Sequence, residues 1–399
     1  MNSVTRVGVI GQGYVGLPLA IMAAKAGFQV IGIDNDLVKV QKLNSGLSEI
    51  EGIDNSELAN LLERESYSVS DDYSLLSSVQ VILVCVPTPV NESGLPDLNI
   101  LHRSIKNIAK NISAGTLVIL ESSVAPGTTR ELLFETILHE SNLTSENFGV
   151  AFSPERIDPM NKQWNLSNTP KVVAGLTEES RRQALAFYSK FIDTLVPCAS
   201  LEIAEAAKLL ENSFRLINIS LINELAVFCN VLNININEVI DVASTKPYGY
   251  MPFFPSLGAG GHCIPVDPLY LAEKGRQINA PFHMIELASK INYEVPNYFI
   301  KKAEVILNGL AGKRILILGV AYKANVSDTR ESPVKTLIIG LRAKGAKVFW
   351  HDELVKNWLG ERSTAVSNDY DLAILATPHD RLDLTKLDDV PILNTRGSN

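Results

Sequence analysis

Cysteine is scarce in this chain of 399 residues: four stand far apart, at positions 85, 198, 229 and 263. That number and spacing fit neither a disulfide framework nor a zinc site, and they suit a reducing cytoplasm. Long hydrophobic runs are missing too. No uninterrupted apolar stretch approaches the roughly 18 residues a membrane helix needs. The first residues run almost directly into the apolar segment Val7 to Ile10, without the basic region or cleavage site of a secretory signal. Charge of either sign forms no block. The formal charge of −8 is spread along the chain, which favours solubility and gives no nucleic-acid footprint. Any phosphate must then be met by a few placed cations. His262 adjoins Cys263, but adjacent residues rarely chelate one ion well and no second pair is spaced for it, so no metal is expected.

What is present is ordinary globular composition, 46% hydrophobic and 20% charged, with length for two or three domains. Short β-branched runs at Arg6 to Ile10, Gln29 to Asp34, Val81 to Val86 and Thr116 to Leu120 alternate with helical patterns and read as parallel strands of a doubly wound α/β sheet. Runs at Gly149 to Phe152, Lys171 to Ala174 and Leu195 to Pro197 extend it, which sets a first Rossmann-like domain at 1–197. No glycine or proline occurs between Pro197 and Pro247, and the spacing from Leu201 to Leu232 predicts one long central helix. At 1.5 Å per residue, a helix of about 30 residues spans roughly 45 Å, longer than a small domain needs, so part of it is expected to pack on a second subunit in a homodimer. A helical middle domain, 198–310, leads to a second strand–turn–helix rhythm at Arg314 to Leu318, Lys347 to Trp350 and Asp371 to Ala376. This second Rossmann-like domain, 311–399, lacks the three-glycine turn and is expected to bind something other than a dinucleotide pyrophosphate.

Gly11-Gln12-Gly13-Tyr14-Val15-Gly16 places G-x-G-x-x-G between a strand and a helix. Gly11 permits the tight turn, Gly13 lets the backbone approach a pyrophosphate, and Gly16 allows close helix packing, while the helix N-terminus offers amides and positive dipole. Tyr14 and Val15 belong to the same turn. Asp34 closes the second strand, where a carboxylate accepts from a ribose 2'-hydroxyl and repels a 2'-phosphate. Asn35 and Asp36 add no cation, so the cofactor is read as NAD rather than NADP. Thr88, after the next strand, is a candidate contact, whereas Cys85 reads as a buried strand residue.

Phe254 to Asp267 is a glycine-dense loop carrying Cys263, whose thiol could reach a bound carbonyl. Cys198 and Cys229 have a blander helix-and-core look. Lys208 and Asn212, four apart, share one helix face. They suit stabilisation of an alkoxide and orientation of a hydroxyl or water, or else a solvated polar face. The loops Ser153 to Pro159 and Glu121 to Thr128 follow strands, where ligand-contacting loops of open sheets sit. Glu155 could position water, and the hydroxyls of the second loop could hold water or substrate; both loops read equally as capped turns.

These motifs, with Val-Pro-Thr-Pro at 86–89, Gly-Gly-His-Cys-Ile-Pro-Val-Asp-Pro at 260–268 and Tyr322-Lys323 with Arg330-Glu331-Ser332-Pro333, occur in the order found in the UDP-sugar dehydrogenases, which the chain resembles from Val7 to Gly397. The resemblance implies an N-terminal NAD domain, a dimer-forming helical middle and a C-terminal UDP-binding domain. It makes Cys263 the nucleophile, Lys208 and Asn212 the alkoxide-stabilising pair, Asp267 a helper in water activation and Glu155 a general base. Ser123, which stands where many members carry threonine, joins the catalytic and cofactor-binding sets. Lys323 and Arg330 would hold nucleotide phosphate or cofactor, Arg330 being assigned to the cofactor. Arg156, Lys246, Tyr250, Phe254 and Gly260 join Glu155, Lys208, Asn212 and Lys323 as expected substrate contacts. Glu121 stands where some members have lysine. The segment Thr245 to Pro255 looks like the branch acting on UDP-N-acetylhexosamines, UDP-N-acetylglucosamine first, with UDP-glucose, UDP-N-acetylgalactosamine and UDP-N-acetylmannosamine as alternatives, and implies a role in polysaccharide biosynthesis. A single-step hydroxyacid dehydrogenase would leave Cys263 and the second Rossmann half unexplained. A non-catalytic NAD-binding protein would not need the full set of polar site residues.

Overall fold

A computed structural model describes residues 5–91, 93–158, 161 and 163–397, so Pro159 lies outside the described residues. The chain divides into two compact units, Met1–Leu210 and Glu211–Asn399. In the first, strands β1 (Arg6–Ile10), β2 (Gln29–Ile33), β3 (Tyr67–Ser70), β4 (Val81–Val84), β5 (Leu117–Leu120), β6 (Gly149–Phe152), β7 (Lys171–Gly175) and β8 (Leu195–Pro197) form one sheet in the order β3-β2-β1-β4-β5-β6-β7-β8. Its neighbours run parallel except β6 and β7, which pair antiparallel at Ala151–Gly175 and Phe152–Ala174. The sequence pattern had the members of this sheet but not that reversal, nor β3, whose polar alternation Tyr-Ser-Val-Ser hides it.

Both faces of the sheet are covered, and the period of two in the strands explains how. Val7 and Val9 of β1, Leu83 of β4 and Leu117 and Ile119 of β5 point into one core with helices α1 (Gly16–Lys25), α2 (Leu37–Asn44) and α3 (Asn55–Glu63). Ile10, Ile82, Val84, Val118 and Leu120 point into the other, against α4 (Asn99–Asn111) and α5 (Glu135–Glu140). Strands buried on both sides read as continuous apolar runs, the usual character of a parallel sheet. Helix α6 (Glu178–Tyr188) is capped by Thr177, whose hydroxyl accepts from Ser180 N, and adds Ala184, Phe187 and Tyr188 to the first core.

Helix α7, Leu201–Val231, has the length expected, and its first ten residues belong to the first unit. The second unit continues with α8 (Ile236–Ser244), α9 (Asp267–Gln277) and α10 (His283–Ile306), then β9 (Arg314–Leu318), α11 (Val334–Ala343), β10 (Lys347–His351), a short antiparallel pair β11 (Asn357–Trp358) and β12 (Glu361–Arg362), β13 (Leu372–Leu375) and β14 (Ile392–Asn394). The parallel order β10-β9-β13-β14 makes a smaller sheet. Ile315 and Ile317 face α10 and α11, while Leu316 and Leu318 face Leu387 and Val390.

The two sheets repeat one device. Gly11 N donates to Ile33 O at 2.7 Å and Gln12 N to the Asp34 carboxylate at 2.8 Å; Gly319 N donates to His351 O at 2.8 Å and Val320 N to the Asp352 carboxylate at 2.7 Å. In the second unit His379 Nε2 lies 3.1 Å from Asp352, while its Nδ1 accepts from Asn325 N at 2.9 Å. Burial pushes the Asp352 carboxyl up, but the His379 ring and the amides of Val320 and Val355 outweigh it and hold the group at about 2. A depressed carboxyl contributes stability that is present above its unfolded value of 3.8 and is lost as pH falls through about 2. Asp352→Asn should therefore destabilise the protein by roughly 2 kcal/mol at neutral pH. The gap to wild type in urea unfolding should close between pH 4 and pH 2.

Candidate active site

The three glycines after β1 have three different surroundings. Gly11 takes φ +88°, and a Cβ there would lie 2.7 Å from Cys85 O; at Gly16 it would lie 1.8 Å from Gly11 O. Over Gly13 nothing but its chain neighbours comes within 4 Å of that position, so the turn before α1 leaves open space that a pyrophosphate can enter. This geometry fits a dinucleotide. Asp34 is nearly saturated: Oδ2 accepts from Gln12 N and from Lys39 Nζ at 2.9 Å, and Oδ1 from Asp36 N at 3.0 Å. Lys39 is a cation that reading Asn35 and Asp36 alone did not anticipate, because it comes from the first turn of α2. Gln12 is fully buried, donates to Val9 O and accepts from Tyr67, so it locks the turn from below. Tyr14 donates to Glu51 at 2.7 Å, Val15 precedes α1, and Thr88 donates to Ser123 O at 2.9 Å, joining two of the expected contacts. Burial, followed by the charge of Glu121, pushes the Cys85 thiol well up, which keeps it protonated.

Further along the same unit, Glu155 Oε1 accepts from Arg156 N at 2.6 Å and Ile157 N at 2.8 Å. Its Oε2 is buried without a hydrogen-bond partner among the described residues, 3.7 Å from Lys171 Nζ. Lys208 Nζ donates to Glu155 O at 2.6 Å, and Arg156 Nη1 to Pro170 O at 2.9 Å. Lys171 also donates to Glu121 Oε2 at 2.8 Å, and Tyr188 donates to Glu121 Oε1. Burial raises the Glu121 carboxyl to about 6 against the pull of Lys171. Lys171 and Tyr188 carried no signal beyond one charged residue heading an apolar strand and one tyrosine in a helical pattern. The hydroxyl of Ser122 is spent on Val86 O at 2.6 Å, so the Glu121 to Thr128 loop offers fewer hydroxyls than its sequence suggests. Glu205, one turn before Lys208, accepts from Gly127 N and Thr129 N. The polar face of α7 at 205, 208 and 212 is thus engaged with protein rather than solvated.

In the second unit Asn212 Nδ2 donates to Asp267 Oδ2 at 2.7 Å, and both residues are buried. Asp267 opens α9, and its amide donates to Cys263 O at 2.8 Å, with Val266 N on the same carbonyl at 3.2 Å. Cys263, half-buried, is therefore held one turn ahead of the Asn212–Asp267 pair. The loop before it is bracketed by Asn292, which accepts from Ala259 N at 2.6 Å and donates to Ala259 O at 3.0 Å. The glycines were expected to let a ligand approach, Gly260 among them. Their close neighbours are instead protein atoms: a Cβ on Gly260 would lie 2.8 Å from Tyr322 Cβ and 2.9 Å from Glu331 O, and one on Gly261 2.9 Å from the Tyr322 ring. Gly261 N donates to Arg330 O at 3.1 Å. The Cys263 loop and the Tyr322–Pro333 motifs consequently meet within one unit. Arg330 Nη2 donates to Asp328 at 2.6 Å, so a carboxylate already shares this expected cofactor contact. Lys323 is half-buried, Lys246 lies over the Tyr248 ring at 5.1 Å, and Tyr250 and Phe254 are exposed. A cavity of about 600 Å³ lined by Asn223, Asn230, Tyr298, Lys302 and Asn394 includes none of the substrate contacts expected from sequence. Among the described residues no cluster of His, Cys, Asp and Glu is placed to hold a metal.

Gly261 takes φ +80° and has no room for a methyl group. Gly261→Ala should cost about 1–3 kcal/mol, visible as a lower thermal midpoint, whereas the same change at Gly13, where space is open, should leave stability nearly unchanged.

Comparison with known proteins agrees with this geometry. The UDP-glucose/GDP-mannose dehydrogenase family matches through its NAD binding domain at residues 5–192, its central domain at 202–294 and its UDP binding domain at 316–396. A UDP-N-acetyl-D-glucosamine 6-dehydrogenase of Pseudomonas aeruginosa is 35% identical over 341 residues, 84% of this chain and 79% of its own. A UDP-N-acetyl-D-mannosamine dehydrogenase of Pyrococcus horikoshii is 32% identical over 391 residues, 94% of this chain and 89% of its own. The solved structure of the Pyrococcus horikoshii UDP-D-ManNAc dehydrogenase superposes with a TM-score of 0.91 at 30% identity, covering 98% of this chain and 95% of that one. The chain belongs to the UDP-glucose/GDP-mannose dehydrogenase family and is an NAD-dependent UDP-sugar dehydrogenase.

Proposed function

We propose that the enzyme oxidises the C6 hydroxymethyl of a UDP-N-acetylhexosamine, UDP-N-acetylglucosamine first, to the uronate through a covalent intermediate on Cys263. The observation that carries this reading is the chain of contacts from Asn212 to Asp267 to the Cys263 carbonyl, which fixes the backbone of a cysteine beside a carboxamide–carboxylate pair. NAD, when bound, accepts the hydride of each oxidation, so two are reduced per sugar. Lys208 and Asn212 stabilise the alkoxide of the first oxidation. An aldehyde lacks the tetrahedral C–H that a second hydride transfer needs; addition of the Cys263 sulfur to the carbonyl creates it as a thiohemiacetal. Loss of hydride and a proton gives the thioester. Water, activated by Glu155 and Asp267, cleaves it to carboxylate and thiol. Ser123 orients that water or the nicotinamide end of the cofactor. Asp34, Tyr14, Val15, Thr88 and Arg330 are assigned to the cofactor. Arg156, Lys246, Tyr250, Phe254, Gly260 and Lys323 are assigned to the sugar nucleotide.

In functional terms the chain is assigned three parts: 1–197 for NAD, 198–310 for dimerisation and the cysteine loop, and 311–399 for UDP. Support for a homodimer comes from α7, where Ile203 and Leu210 repeat at seven residues, as do Phe214, Leu221 and Phe228, and all five are exposed. By length and composition alone α7 could also cross a membrane. Its buried polar residues Glu205 and Asn212 favour the dimer. We assign the enzyme to the cytoplasm, supplying uronates for polysaccharide synthesis. UDP-N-acetylmannosamine is the second reading for the sugar, since relatives bearing that name match at similar identity.

Purified protein offered UDP-N-acetylglucosamine, UDP-N-acetylmannosamine, UDP-N-acetylgalactosamine and UDP-glucose should release two NADH per uronate from its true substrate, and Cys263→Ser should abolish that stoichiometry. A two-fold yield surviving in the variant would remove the covalent step. Lys208→Ala should lower kcat on the order of 10²-fold or more with NAD affinity retained. Asp34→Ala should instead weaken NAD in a titration; the opposite pattern would mean the two roles are exchanged.

A further inference from the structure

Lys171 is a buried lysine that the proposed chemistry does not use. Its side chain is 5% exposed, and two carboxylates surround it: Glu121, 0% exposed, at 2.8 Å, and Glu155, 12% exposed, at 3.7 Å. A structural ion pair needs one partner. Glu121 already supplies it and is itself completed by the Tyr188 hydroxyl on its other oxygen. Glu155 is completed differently: two amides take Oε1, and Oε2 is left buried with the lysine as its nearest cation. The carboxyl group is thus held by one oxygen, and the other is left without a hydrogen bond.

We propose that Lys171 is a positioning residue whose charge holds the Glu155 carboxyl group in place, with Glu121 and Tyr188 as the buttress that keeps the lysine in place. This rests on the reading of Glu155 as the base. The groups facing Glu155 are Lys171 on β7, Glu121 after β5, Cys85 after β4, Lys208 on α7, which donates to its carbonyl, and its neighbour Arg156. Lys171 stays protonated: burial pulls it down, but Glu121 and then Glu155 outweigh burial and raise it. The cation is therefore present across the working pH range. Glu121, at 2.8 Å, competes with Glu155, at 3.7 Å, for this cation and draws it away from Glu155.

The test is the pH dependence of kcat for NADH release, measured on the UDP-sugar that turns over best, because the acid limb reports the base in the substrate complex. The charge-balanced double variant Lys171→Met/Glu121→Gln leaves no uncompensated buried ion. It should move the acid limb up by about one pH unit and so lower kcat about ten-fold at pH values below the limb. Its KM values should stay within about two-fold of wild type, since these residues are not placed against substrate. Glu121→Gln alone, which frees the lysine for Glu155, should move the limb down, whereas Lys171→Arg, which keeps the cation, should leave it where it is in wild type. Opposite shifts are not what a packing defect produces. A wild-type acid limb in both the double variant and Glu121→Gln, each with a cooperative melt, would overturn the proposal. Glu155→Gln separates the two failures. If it is fully active, the reading of Glu155 as base is wrong; if it is impaired while the other variants keep the wild-type profile, only the role of Lys171 is.

Discussion

A carboxylate at the carboxyl end of the second strand secures the turn after the first strand in both sheets. Asp34 and Asp352 each accept the amide that follows a left-handed glycine, Gly11 or Gly319. Without that acceptor, amides at the mouth of a parallel sheet would have to find water in a site that must stay open for a ligand. What differs is the side chain that completes each carboxylate. Asp34 is met by Lys39 from the following helix, on a partly exposed rim, whereas Asp352 is met by buried His379. The first arrangement leaves a carboxylate beside the space over Gly13. The second closes its turn into the core.

Polar residues on α7 follow the same logic of buried satisfaction. Glu205, Lys208 and Asn212 recur at three and four residues, which on sequence alone could be a wet helix face. Each instead meets a specific group: the Gly127 and Thr129 amides, the Glu155 carbonyl, the Asp267 carboxylate. Because a buried polar group without a partner costs more than a satisfied one gains, these contacts fix the loops after β5 and β6 within the first unit and, separately, the start of α9 within the second. The apolar residues at 203, 210, 214, 221 and 228 occupy the remaining exposed face of the helix.

Legibility from sequence tracked the range of the forces involved. The glycine turn, Asp34, the strands buried on both faces and the unbroken helix after Pro197 are local patterns of period 2 or 3.6, and each could be read directly. The strand Tyr67–Ser70 escaped because half its residues are serine; the strand Lys171–Gly175 was read, but not its reversal, because pairing direction leaves no mark on composition. The roles of the loop glycines were read by their permissiveness alone. What presses on Gly260 and Gly261 is Tyr322, some 60 residues away, which only a folded unit can reveal. Lys171, Glu121 and Tyr188 were invisible as a group for the same reason: they lie 50 and 67 residues apart in pairs and meet only across the sheet.

The sequence by itself determined the class of fold, the dinucleotide turn, the order of the motifs and hence the family, because these depend on neighbours within a turn or a strand. The tertiary structure alone decided which charges neutralise one another, Lys39 with Asp34, Lys171 with two glutamates and Arg330 with Asp328, and which carboxylate the His379 ring meets, that of Asp352. Coulomb and hydrogen-bond energies act through space and depend on burial, and neither distance through space nor burial can be read from position along a chain.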